Sequence, residues 1–517
     1  MLRRLIAACL GLVAVGAISS VPAQAQCAGA AVGCLTAADV TNAIQGAATA
    51  ISPTTIVVAV VDRAGVPLGV YEGTTAAGTT SPANFGNLLP AQDVAVGLAR
   101  TGAFFSNDQA PLSSRTVRFI SGIHFPPGVT NKPPAALYGI ENTNRGCALN
   151  PVLDAVIPRA TSVVNAGACT GGGANAGCGS GIITGKANIF DSSPLSVNGG
   201  GVPIFKDGKV AGGIGVAGVT VDAAEYAAFV GSIAGGPRFG PPLPPPGAIF
   251  LEGIQLPFVN NVNRPAGVGP GIFNGAIVVG PNPSGFATGV PSGYLVGPNG
   301  NAQIAALEVN GIVNNAIAQA NRTRAAIRLP LGSATRMVIA VSGLDGTLLA
   351  VFRMPDATIF SIDVAGTKAR NVVYFSGNAR NPGDMPGFPV GFSMTARTIG
   401  FGAMPLFPAG IDGTSPGPFF GDFRRDVLNV CTQAQDPTNL GNQSGIVFFP
   451  GSIGLYRNGV LVGGLGVSGD GVEQDDLVTA AGVTPNFVAP PQIRADRVLI
   501  GGVRLPYFKF PRNPEIR

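Results

Sequence analysis

The sequence predicts an α+β fold: two tandem domains, each an antiparallel β-sheet flanked by helices. Three observations predict it. Hairpin signatures alternate with stretches of helical periodicity. The same order of signals occurs twice along the chain. No parallel return strand follows the last hairpin of either unit, only a helix and Pro-rich chain.

Residues 36–50 and 305–320 supply an opening helix to each unit. The stretch IVVAVVDRAGVPLGVYEG (56–73) then aligns without gaps on MVIAVSGLDGTLLAVFRM (337–354). Both are two apolar runs around a Gly-containing turn, which predicts a β-hairpin. Next, QDVAVGLARTGAFFS (92–106) matches IDVAGTKARNVVYFS (362–376), with Asp93 and Asp363 near the start of a helical repeat. RTVRFISGIHFPPGV (115–129) matches RTIGFGAMPLFPAGI (397–411) within a long loop. VPIFKDGKVAGGIGVAG (202–218) matches IGLYRNGVLVGGLGVSG (453–469), a second hairpin turning at Asp207-Gly208 and Asn458-Gly459. Closing helices start near Val221 and Val472, where Asp222, Glu225, Glu473 and Asp476 place acids in the first turn, and Asp475 and Asp476 are read as a solvated helix start. The tails repeat too: LEGIQLPFVNNVNRP (251–265) resembles IGGVRLPYFKFPRNP (500–514).

These signals divide the chain into a signal peptide (1–25), a first domain (26–234), a Pro/Gly-rich linker with the LPF strand (235–300), a second domain (301–485) and a tail with the LPY strand (486–517). Residues 266–300 read as irregular, and 153–185 as a Gly-rich surface loop. With 46% apolar residues, 76 glycines and 44 prolines, the chain has many turns yet too much apolar character for disorder throughout. Arg3 and Arg4, the apolar run after them and Ala23-Gln24-Ala25 form a secretory signal, and no later segment is apolar enough for a transmembrane anchor. A periplasmic or secreted location follows, and disulfides are expected among Cys27, Cys34, Cys147, Cys169, Cys178 and Cys431. Close spacing suggests Cys27–Cys34 and Cys169–Cys178. A net charge of +5 without a basic run excludes nucleic acid as a partner.

The spacing Gly213-x-Gly215-x-x-Gly218 recurs as Gly464-x-Gly466-x-x-Gly469 and matches a dinucleotide-binding fingerprint. The context does not match. These glycines follow the second strand of a hairpin, and the acids after Gly469 would repel a pyrophosphate. The glycines are read instead as permitting close helix–sheet contact.

The hairpins, SIDVAGTKAR (361–370) and GLYRNGVLVGGLGVSGDGVEQDD (454–476) carry a resemblance to the GlcG/HbpS-like family (haem-binding type, DUF336-like), in two tandem copies. The resemblance implies profilin-like domains, an internal pseudo-dimer or a homo-oligomer, and haem as a cofactor. Cys147 and Cys431, at comparable places in the two units, are then expected to pair across the pseudo-twofold. His124 is the lone histidine and a haem-ligand candidate; its counterpart is Leu406. Met354, Met394, Met404, Tyr374 and Tyr456 are alternatives, each also explained as core packing. Arg397, Lys368 and Arg370 are candidates for a ligand carboxylate, or for structural pairing with loop carbonyls or an internal Asp. One histidine and no nucleophile elbow argue against an enzyme, and no metal site or catalytic residue is assigned. The expected function is an exported binding protein for haem or a similar small organic ligand. The alternative is a structural or interaction protein that no longer binds one.

Overall fold

A computed structural model describes residues 33–144, 146–157, 162–164, 181–184, 193, 198–241, 249–280, 290–428 and 431–516. The expected signal peptide, Cys27, Cys169 and Cys178 lie outside the described residues. In the first unit the opening helix is Ala37–Ala50 and the first hairpin Val57–Asp62 with Pro67–Glu72. A central helix, Ala91–Phe105, and a short helix, Ser114–Phe119, follow. The second hairpin is Gly201–Lys206 with Lys209–Ala217, and the closing helix Val221–Ser232. The second unit repeats this order with Ala306–Ala320, Met337–Ser342 with Leu348–Arg353, Phe360–Ser376, Ala396–Gly402, Ser452–Arg457 with Val460–Gly469, and Val472–Val483. An additional helix, Phe420–Leu428, lies in the long loop of the second unit.

Local chemistry accounts for these boundaries. Asp207-Gly208 and Asn458-Gly459 each place two residues at positive φ (53° and 75°; 51° and 81°), as a two-residue hairpin turn requires. Thr36 and Asp39 form a capping box on the first opening helix. Ser113 with Thr116, and Thr395 with Thr398, cap the two short helices in the same way. The same hydroxyls hold the tails. Thr116 Oγ1 donates to the Pro257 carbonyl at 2.5 Å and Thr398 Oγ1 to that of Pro506 at 2.7 Å.

Both sheets have five strands in the same order, with the second hairpin beside the first and the first strand of each first hairpin at the centre. All these pairings are antiparallel. The register slips at aligned positions: Val60/Val61 and Val341/Ser342 in the first hairpins, Ile204/Phe205 and Leu455/Tyr456 in the second. The segment read as irregular supplies the fifth strand of each sheet. Ala276–Val279 pairs with Pro67–Glu72, and Gly293–Val296 with Leu348–Arg353. Four-residue strands amid Gly and Pro are too short to display a period of two.

The first two glycines of each fingerprint lie under the central helices, whereas Gly218 and Gly469 sit against the Thr55 and Arg336 carbonyls. A Cβ at Gly213 or Gly215 would strike the Ala99 or Ala95 carbonyl, and one at Gly464 or Gly466 the Ala369 or Ala365 carbonyl. They are therefore positions of steric closeness between strand and helix, as the sequence context indicates.

One apolar cluster runs through both units, and a second lies between the first sheet and its opening and closing helices. The units meet where the first central helix ends and the second begins. Phe105 stacks on Phe360 with ring centroids 4.1 Å apart, and Ile359 N donates to the Phe104 carbonyl at 3.0 Å. Cys147 and Cys431 form a disulfide between the two units, as expected.

Candidate functional site

The short helix of each unit presents an arginine to an acid on the closing helix. Arg115 pairs with Glu225 through Nε (2.5 Å) and Nη2 (3.1 Å). At the matched positions Arg397 pairs with Asp476 through Nε. Asp476 Oδ2 also accepts from Lys509 N at 3.0 Å, and its Oδ1 from Gly451 N at 3.1 Å. Arg397 Nη2 is buried without a partner.

Arg397 lines a cleft of about 390 Å³ between the units. Phe125, Ala135, Ala136 and Tyr138 come from the loop of the first unit; Phe401, Met404, Phe448 and Phe449 come from the second. Leu251 and Glu252 of the first tail and Lys509 of the second close the rim, where Lys509 Nζ pairs with Glu473. The lining is thus aromatic and apolar with a few convergent charges, the usual makeup of a small-molecule site. Tyr138 stacks on Phe423, and burial, with Glu141 nearby, pushes its phenol well above the ordinary value.

Behind Phe449 lies a buried ion pair. Lys368 Nζ sits 4.9 Å from the Phe449 ring centroid, donates to the Val467 carbonyl at 2.8 Å and meets Asp475 Oδ2 at 3.0 Å. Burial outweighs the mutual attraction. It pushes the Asp475 carboxyl up to about 7 and lowers Lys368. Asp476 is likewise raised by burial. Asp475 and Asp476 are 2% and 0% exposed, which corrects their reading as a solvated helix start. The sheet, the tail and two cations cover this turn, so its acids are internal counter-charges. The first unit has Leu98 and Ala224 where the second has Lys368 and Asp475.

The structure brings Arg397 and Met404 into the cleft, with Lys368 behind its wall. His124 is elsewhere engaged: Nδ1 lies 2.8 Å from the Lys132 carbonyl and Nε2 3.2 Å from Asp412 Oδ1, across the unit boundary. Arg370 is spread over backbone carbonyls, with Nε on Gly346 (2.9 Å), Nη1 on Ala148 (3.1 Å) and Nη2 on Leu149 (2.6 Å). Met354 and Met394 are in the core. Tyr374 donates to Asp384 Oδ2 at 2.7 Å, and Tyr456 is buried on the edge strand Ser452–Arg457. The aromatic lining from residues 125–138 and 448–449 was not singled out from the sequence, because loop positions carry no periodic signal. Among the described residues no acid, His or Cys group is arranged to hold a metal ion.

Residues 313–484 match the family model described as haem degrading protein HbpS-like. Two solved structures are similar in part. The crystal structure of a PduOC:heme complex is 22% identical, covering 37% of this chain and 100% of that one, with a TM-score of 0.24. The crystal structure of Klebsiella pneumoniae protein ORFY, of family DUF336, is 19% identical, covering 36% of this chain and 91% of that one, with a TM-score of 0.23. No curated protein matches the chain. From within its opening helix to the end of its closing helix, the second unit is thus similar to the HbpS-like family.

Proposed function

We propose that the protein is an exported, tandem pair of HbpS-like units that binds haem or a similar small organic ligand in the cleft between them. One observation carries this reading: an aromatic-lined cleft, built by both units, that holds Arg397 and Met404. The residues present fit haem. Flat rings suit the faces of a macrocycle, and His, Met, Cys and Tyr are the side chains that ligate its iron. The cleft offers Met404 and Tyr138. The raised phenol of Tyr138 stays protonated, which leaves the Met404 thioether as the donor that needs no proton loss. Export is supported by the N-terminal signal pattern and by the Cys147–Cys431 disulfide, a bond that persists in oxidising compartments. No helix among the described residues is long and apolar enough to cross a membrane.

The test is a haem titration of the full chain, read at the Soret band. Saturable binding is expected. Ala136→Trp, which fills the cleft from the first unit, is expected to weaken it by at least about tenfold with an unchanged melting temperature. Binding that ignores Ala136→Trp would place the ligand elsewhere. The absence of any spectral change would favour an interaction protein instead.

A further inference from the structure

We infer that the cleft selects a carboxylate-bearing ligand, and that Asp476 is the positioning residue that keeps Arg397 available to it. The inference rests on the reading of the cleft as a ligand site.

The two units perform the comparison internally. In the first, glutamate takes the side-on edge of the arginine: Glu225 engages Nε and Nη2 of Arg115 side by side, at 2.5 and 3.1 Å. A guanidinium held in that fork no longer has its Nε–Nη2 edge to offer a ligand. In the second unit the acid is one methylene shorter. Asp476 reaches Nε with Oδ2 and turns Oδ1 to Gly451 N, so Nη2 of Arg397 stays buried and unpartnered. A buried N–H without an acceptor is a cost that native proteins seldom leave standing. Here it stands on a residue that lines a cleft.

The neighbouring positions differ in the same direction. Gly400 occupies the place of Arg118 and packs against the Phe448 carbonyl, so no second cation stands one turn beyond Arg397 as it does in the first unit. Glu473, one of the two acids that line the cleft, is paired with Lys509. The acceptor that completes Arg397 is therefore to come from the ligand. A planar, two-oxygen acceptor matches the guanidinium edge, and the apolar lining suits an organic acid better than a free inorganic anion.

The experiment compares haem, which carries two carboxylates, with haem dimethyl ester, in which both are blocked. The wild-type chain is expected to bind haem at least about tenfold more tightly than the ester. Asp476→Glu rebuilds the fork of the first unit and is expected to abolish that preference by weakening haem to the level of the ester. Glu225→Asp opens the other arginine and is expected to leave both affinities unchanged. If Asp476→Glu does not fold, Arg397→Gln carries the same expectation. Equal wild-type affinities, or a preference that survives both cleft variants, would overturn the inference while the cleft remains a ligand site. Failure of the wild-type chain to bind either compound would overturn the ligand reading itself, and this inference with it.

Discussion

Lys368→Leu is expected to cost about 3 kcal/mol of stability at pH 8 and less at pH 7 and below. The lysine is fully buried, and its removal leaves Asp475 inside the protein without a counter-charge. That carboxyl is held at about 7 even with Lys368 present, against about 3.9 in an unfolded chain. Without the ammonium it rises further. Between the unfolded and folded values the native state then holds a proton that the unfolded state does not. This group's contribution to stability is therefore fully present below about pH 4 and is lost as pH climbs through the folded value. The wild type shares that slope up to about 7, so the destabilisation should grow as pH climbs above it. The double variant Lys368→Leu/Asp475→Ala reproduces the Leu98 and Ala224 of the first unit and is expected to recover most of the loss, with the added slope gone. Denaturant unfolding at several pH values checks this. A pH-independent loss, or a double variant no better than the single one, would show that the pair is not coupled as described.

Gly466→Val is expected to destabilise by about 3 kcal/mol or more, at the upper end of overpacking effects. The obstacle is backbone: the added Cβ meets the Ala365 carbonyl, and Lys368 Cβ lies 3.0 Å away. No rotamer change moves a carbonyl out of a helix. A marked fall in the denaturation midpoint supports this account of the repeated glycines, whereas wild-type stability would contradict it. The strand that carries Gly466 is antiparallel to both its neighbours, so the setting of a dinucleotide loop is absent there.

Much of the fold was legible because it rests on local rules. Asp207-Gly208 and Asn458-Gly459 specify their turns, and the closing helices begin at Val221 and Val472 as their sequences indicate. The pairing of Cys147 with Cys431 followed from their equivalent places in the two halves. The cleft was legible only at Arg397, which stands out as a repeated cation, and at Met404. Its remaining walls come from loops of opposite units, brought together by packing that leaves no periodic trace. Asp475 and Asp476 were misread for a related reason. A helix-start acid looks alike whether water or a buried cation faces it, and Lys368 and Arg397 are about 80–110 residues away in sequence.

The most direct test of the account is a crystal structure of the full chain grown with haem. The ring is expected between the units, in contact with Phe125 from one and with Arg397 and Met404 from the other. Haem held within a single unit, away from Arg397, would contradict it.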